Sequence, residues 1–220
     1  IVLMKSVFKY AVKTYCIYNP MEGVSLPRKK TSDIRLLDKK EQLCLEEYVS
    51  KIHNSTTLGI TLAMTTGIRI GELCALQWKD IDLEKRILTV SKTVQRIQLH
   101  EADRKTKLII TEPKSESSKR IIPIPEAVVA FLKEMRENDE DFVVSGTSRV
   151  IEPRTMQYRF AKILKNVNLP SVHFHALRHM FASNCIRLGF DIKALSEILG
   201  HSSVEITLNR YVHSSFEQKT

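Results

Sequence analysis

The sequence predicts an α+β domain, mainly helical, with a small antiparallel three-stranded sheet set among the helices. Three observations carry this. Apolar residues recur at helical spacing over most of the chain, and strand-like patterning is confined to residues 86–124. Glycines follow three of the helical stretches, at Gly67, Gly189 and Gly200, the usual residue for ending a helix. With 220 residues, 43% of them hydrophobic, the chain has room for one sizeable core and the remnant of a second domain.

Residues 1–17 are apolar at helical spacing until Asn19, Pro20 and Gly23 break the pattern, and Leu26-Pro27-Arg28-Lys29-Lys30 reads as a basic, extended link. Residues 1–30 are therefore expected to be the end of an upstream helical domain plus a linker, with the main domain over 31–220. A start at Ile1 rather than Met, inside a helical pattern, points to a piece of something longer. Asp38, with Glu41 three residues on, can cap a helix whose buried stripe is Leu43, Leu45, Tyr48 and Ile52. A second apolar helix covers 56–66 and stops at Gly67. Strands are expected over 87–94, 108–111 and 120–123, with a polar turn between the last two that begins near Lys114. Helices follow over 126–136 behind Pro125, over 154–166 with Arg154, Arg159, Lys162 and Lys165 on polar positions, and over 175–188, 192–199 and 204–212.

Lys and Arg outnumber Asp and Glu by 34 to 25, a net charge of +9, and the pI is near 9.4. That balance favours an anionic partner. No apolar run approaches the roughly 20 residues of a membrane span, and the first ten residues lack the cationic start and cleavage pattern of a signal peptide. Cys16, Cys44, Cys74 and Cys185 stand far apart without a CxxC pair, which indicates neither a zinc ribbon nor a disulfide framework.

Five segments place scarce cationic or nucleophilic groups at defined positions: Thr66-Gly67-Ile68-Arg69-Ile70-Gly71-Glu72-Leu73, Lys114, His175-Ala176-Leu177-Arg178-His179, Leu199-Gly200-His201, and Tyr211. On a helix starting at His175, Arg178 shares its face, so one surface presents an imidazole and a guanidinium together. The guanidinium fork suits the non-bridging oxygens of a phosphate. Arg69 leaves one helix just before the next begins, with Glu72 placed to steady it. His175 and His179 have zinc-helix spacing, but no Glu intervenes and Arg178 adds a positive charge, so no metal is expected and His179 reads as structural.

The ordered set of Arg69, a lysine, His175-x-x-Arg178, Gly200-His201 and Tyr211 resembles the tyrosine recombinase (phage integrase) family, over nearly the whole chain. Asn209-Arg210-Tyr211-Val212-His213 is most similar to integrases of Gram-positive phages and conjugative transposons. The resemblance implies that Arg69 and Arg178 clamp the scissile phosphate, that His201 donates a further hydrogen bond, and that Tyr211 attacks to leave a 3′-phosphotyrosyl link. It also implies that His175 assists proton removal and that a lysine in the sheet turn protonates the 5′-oxygen; Lys114 fits best, with Lys119 as the alternative. Met180 and Ser183 stand where the family commonly has Thr, which removes no catalytic group. By the same resemblance, residues 1 to about 27 are the last helix of a core-binding domain and its linker.

A free phenol with a pKa of about 10 is only about one part in a thousand ionised at pH 7, so such a nucleophile needs a base or a strong positive field. Exchanging one phosphodiester for another is near thermoneutral, and the chain has no GxxxxGK[ST] string; neither nucleotide nor metal cofactor is expected. The expected partners are double-stranded DNA attachment sites, a homotetramer assembled on them, and an excisionase or host DNA-bending protein, in the bacterial cytoplasm and away from membranes. Lys92, Arg96, Lys119, Arg120, Arg154 and Arg159 are candidate DNA contacts. The same chemistry would serve a type IB topoisomerase-like enzyme or a telomere resolvase; size and the Gly-His form favour the recombinase. An inactive DNA-binding regulator is the non-enzymatic alternative, and the intact residue set argues against it.

Overall fold

The computed structural model describes residues 2–25, 35–98, 106–112 and 119–212. The chain divides into two units, Ile1–Ile34 and Arg35–Thr220. The first contains α1 (Val2–Tyr15), ended ahead of a turn at Pro20–Gly23. The basic link at 26–30, Lys114 and the turns at 99–105 and 113–118 lie outside the described residues.

The second unit begins with α2 (Lys39–Lys51). Asp38 accepts from the Glu41 amide and Glu41 returns the bond to the Asp38 amide, both at 2.9 Å, so the expected capping box closes. Its inward stripe differs from expectation: Leu45 and Val49 are buried, while Leu43 faces solvent and Ile52 already lies beyond the helix end. Helix α3 (Ser55–Thr66) is capped by Asn54, and a left-handed Gly67 ends it. It buries residues on every side, Leu58, Ile60, Leu62 and Ala63 among them, which marks a central helix. After Ile68 and Arg69 the chain re-enters helix as α4 (Ile70–Ala75).

Among the described residues the expected three-stranded antiparallel sheet is present, built in part from other strands than expected, beside a separate two-stranded hairpin. Strands β1 (Ile81–Asp82), β2 (Ile87–Val90) and β5 (Arg120–Pro123) pair in the order β1-β2-β5, all antiparallel, with Leu88 opposite Ile122 and Val90 opposite Arg120. Strands β3 (Thr93–Gln98) and β4 (Thr106–Thr111) form a separate hairpin. The expected strand over 87–94 therefore breaks at Ser91 and Lys92. Strand alternation would turn Lys92 to the same side as the buried Leu88, Val90 and Val94, an unfavourable place for an ammonium. The chain leaves the sheet there instead, and Lys92 Nζ donates to Gln77 Oε1.

Helices α5 (Glu126–Met135) and α6 (Pro153–Asn166) complete the main core with Val128, Leu132, Met156 and Phe160. Helix α7 (His175–Arg187) packs on α3 and is buried almost all round. Then come α8 (Ile192–Leu199), closed by the left-handed Gly200, and α9 (Val204–Thr207), which runs into a π turn at Leu208–Val212. A smaller apolar cluster of Ala182, Cys185, Leu195, Leu199 and Tyr211 joins α7, α8 and the π turn. No helix among the described residues is long and apolar enough to cross a membrane.

Candidate active site

Four chain segments converge on one place: the step from α3 to α4, the start of α7, the end of α8, and the π turn. Arg69, in the α3–α4 step, donates from Nη1 to Glu72 Oε1 at 2.8 Å and from Nη2 to the Gly200 carbonyl at 2.8 Å. Arg178, on α7, donates from Nη1 to the Gly67 carbonyl at 2.8 Å and from Nη2 to the Leu199 carbonyl at 2.6 Å. The two guanidinium groups thus hold adjacent carbonyls at the end of α8. This brings together side chains more than a hundred positions apart.

Arg178 is only 2% exposed. Burial, reinforced by the Arg69 charge, pushes its pKa down to about 9 against the opposing pull of Tyr211 and Glu72. The group still carries its charge at neutral pH. Its Nε–H is buried and donates to no acceptor among the described residues. A buried donor left over in this way suits an anionic ligand oxygen.

His201 follows directly on Gly200. Its Nε2 is 3.0 Å from Arg178 Nη2, and its Nδ1 is 2.8 Å from Thr207 Oγ1. A guanidinium only donates, so Nε2 accepts and the ring proton sits on Nδ1, held by Thr207. An arriving phosphate that draws Arg178 to itself releases Nε2 for a new partner. Tyr211 is 2% exposed, parallel to the His201 ring at 6.2 Å and edge-on to His179 at 5.2 Å. His175 is exposed at the start of α7 and meets His179 edge-on at 4.9 Å. His179 is therefore the buried ring that touches both the exposed His175 imidazole and the Tyr211 phenol. Burial raises the pKa of Cys185, the thiol in the Tyr211 cluster, which leaves it a poor nucleophile.

Glu72 is the hub beneath these groups. Its side chain, 5% exposed, accepts from the Arg69 amide and guanidinium and from both Nη atoms of Arg120. Burial works to raise its pKa, but the hydrogen bonds and charge of Arg120, with the charge of Arg69, outweigh it and hold the carboxyl below the usual range. Arg120, expected as a DNA contact, lies in the interior of the DNA-free chain. Its side chain is 6% exposed and turned inward onto Glu72.

The other expected DNA contacts lie on the surface to different degrees. Arg154 is exposed, with its guanidinium 5.5 Å from the Tyr158 ring centre. Arg96 is clasped by both oxygens of Glu152 at 2.7 and 2.8 Å. Arg159 is half-buried against Thr56 and the Val144 carbonyl, and Lys119 pairs with Glu112 at 2.9 Å. Thr207 had no signal in the sequence; only the folded chain brings it to His201.

The chain matches the phage integrase family over residues 35–218. It is 32% identical to a XerC-like tyrosine recombinase of Caldanaerobacter subterraneus subsp. tengcongensis, across 99% of this chain and 62% of that protein. It is 28% identical to the transposase from transposon Tn916 of Enterococcus faecalis, across 82% of this chain and 47% of the relative. The chain thus spans about half to three fifths of these proteins' length. Among solved structures, the Tn1549 transposon integrase in complex with a circular intermediate DNA is similar, with a TM-score of 0.74 and 25% identity over 98% of this chain and 76% of that one.

Proposed function

The chain belongs to the phage integrase family, and on that footing we propose that it is the catalytic domain of a tyrosine-type site-specific recombinase. It cleaves and rejoins DNA through a 3′-phosphotyrosyl bond and so integrates or excises a mobile element. The observation that carries this is the convergence of Arg69, Arg178, His201 and Tyr211 on the end of α8.

In this reading the scissile phosphate enters beside Arg69 and Arg178, whose remaining N–H groups take its non-bridging oxygens, and His201 Nε2, freed from Arg178 and protonated beside the anion, donates a further hydrogen bond to it. The Tyr211 oxygen attacks phosphorus as its proton leaves towards His175. The bond to the 5′-oxygen breaks, and that oxygen takes a proton from Lys114, which lies outside the described residues. Fixed positive charge around the five-coordinate phosphorus stabilises the transition state; removing one such donor typically lowers a rate by about 10²–10³. A 5′-hydroxyl from another strand reverses the step. The substrates are double-stranded attachment sites bound by a homotetramer in the bacterial cytoplasm, with an excisionase or a host bending protein setting direction. Residues 1–30 serve as the end of a core-binding domain and its linker.

The test is a nicked suicide substrate carrying the element's ends, incubated with the protein and with Tyr211→Phe in EDTA. A protein–DNA adduct that survives denaturation, formed by the first and absent from the second, supports the reading. Tight DNA binding without any adduct refutes it and leaves a DNA-binding regulator.

A further inference from the structure

Three guanidinium groups meet the end of α8, and the catalytic reading uses only two. A helix end leaves its last carbonyls without partners inside the helix and carries the negative end of the dipole. Here three successive carbonyls are taken by arginines from three parts of the chain: Ile198 by Arg120 Nε at 2.6 Å, Leu199 by Arg178 at 2.6 Å, and Gly200 by Arg69 at 2.8 Å. The opposite edge of Arg120 grips both oxygens of Glu72, at 3.0 and 2.8 Å, and Glu72 in turn holds Arg69.

We propose that Arg120 is a positioning residue for strand cleavage. It fastens Glu72 on α4 to the end of α8, and through them sets Arg69 and His201 against one another without touching DNA. The proposal rests on the catalytic reading above.

Three features support it. All three guanidinium nitrogens are engaged in the protein interior. Arg120 starts β5 and is paired with Val90 in the sheet, so its backbone is a fixed base. A Cβ on Gly200 would stand 3.0 Å from Arg120 Cδ and 3.1 Å from Nη1, so the backbone leading into His201 lies directly on this side chain. Lysine carries the same charge but lacks the planar fork that reaches a carboxylate and a carbonyl at once.

The test compares the protein with Arg120→Met, Arg120→Lys and the double variant Glu72→Gln/Arg120→Met, which leaves no buried carboxylate unpaired and so protects against simple misfolding. Adduct formation is followed in single turnover with protein in excess over the suicide DNA, and DNA affinity is measured across a salt series. Displacing a reacting group by about 1 Å can slow a reaction about 10²-fold. A loss of that order is expected in Arg120→Met and in the double variant, smaller in Arg120→Lys, with affinity and salt dependence unchanged. Cleavage at the original rate overturns the proposal. So does a salt slope shallower by about one with the saturated rate intact, the mark of a lost phosphate contact. Hydrogen exchange on the DNA-free protein separates this from failure of the catalytic reading. The Gly200 and His201 amides, bonded to the Glu197 and Ser196 carbonyls at 3.0 Å, are expected to lose protection in Arg120→Met while α3 keeps its own. Unchanged protection there overturns the proposal even if no variant, nor the protein itself, forms an adduct.

Discussion

The Tyr211 ring stands edge-on to His179 with centroids 5.2 Å apart, inside the small cluster of Ala182, Leu195 and Leu199. The residue proposed as nucleophile is thus also a packing residue, and its ring and its hydroxyl make separable contributions. Tyr211→Phe keeps the ring and is expected to melt within a few degrees of the parent while forming no adduct. Tyr211→Ala removes the ring too, and truncating a buried aromatic costs about 3–5 kcal/mol. Urea unfolding of the two variants beside the parent checks this: equal losses from both would mean that the ring does not pack as described.

A second expectation concerns Thr207, wholly buried, whose Oγ1 holds the His201 Nδ1 proton. Valine has nearly the same shape and no acceptor. In Thr207→Val Arg178 still makes Nε2 the acceptor, so the proton stays on Nδ1 but loses its bond to Thr207. Single-turnover cleavage is expected to slow about tenfold or more, because the ring loses its orientation. The Nδ1 ¹⁵N shift of the His201 ring should move as that hydrogen bond is lost, with Nε2 still the unprotonated nitrogen. An unchanged Nδ1 shift would show that Thr207 does not hold this proton.

The pH dependence of stability follows from Glu72. Its carboxyl is held below the ordinary glutamate value of 4.5 in the folded protein, since Arg120 and Arg69 outweigh burial. A depressed folded pKa means that the stabilisation is fully present above about pH 4.5 and is lost as the pH falls through the lower folded value. Glu72→Gln, which cannot titrate, is expected to be less stable than the parent at neutral pH and to lose less on acidification. The two stability curves should approach each other below pH 4.5. Parallel curves from pH 7 to pH 3 would refute the assignment.

Much of this was legible along the chain because it is local. The Asp38–Glu41 capping box and the glycine stops at Gly67 and Gly200 depend on residues within one turn, and all appear in the structure. Arg69, Arg178, His201 and Tyr211 were marked by their motifs, and the fold brings them together. What was not legible depends on partners far away. Arg120 follows a polar turn and looks like a surface cation, but its acceptors lie 48 and 78 positions off, at Glu72 and Ile198. Leu43 fits a helical stripe, yet α2 offers the core only a narrow face, which Leu45 and Val49 fill. The break between β2 and β3 falls at Ser91 and Lys92, where Lys92 meets Gln77, 15 positions back in the chain.

Gly71 gives a sharper test of how closely the site is built. A Cβ there would fall 2.7 Å from Thr93 Oγ1 and 2.9 Å from the Val94 carbonyl, where α4 lies against β3. The threonine can rotate; the carbonyl belongs to the strand and cannot give without moving the hairpin. Overpacking of this kind costs about 1–3 kcal/mol. Because Arg69 is only two residues away, Gly71→Ala is expected to lower the cleavage rate as well as the melting temperature. Lower stability with full cleavage at saturating DNA would show that the strain stays out of the Arg69 step.

The last expectation separates surface cations that meet DNA from those the fold has already neutralised. Arg154 is exposed beside Tyr158 at the mouth of an open groove of about 670 Å³ that also takes in Gln95 and Gln157. Arg96 lines the same groove, but Glu152 binds it through Nε and Nη2. The Glu152 hydrogen bond, opposed by slight desolvation and helped by its charge, raises the Arg96 pKa, so the pair stays ionised and nearly neutral overall. A cation on a phosphate displaces counterions, and each such contact contributes about one unit to the slope of log affinity against log salt. Arg154→Ala is therefore expected to weaken DNA binding at low salt and to make the slope shallower by about one. Arg96→Ala, which removes a cation already held by Glu152, should change the slope less than Arg154→Ala does, the freed Glu152 adding a repulsion that weakens binding most at low salt. Equal slopes for the parent and Arg154→Ala would exclude Arg154 from the backbone contacts.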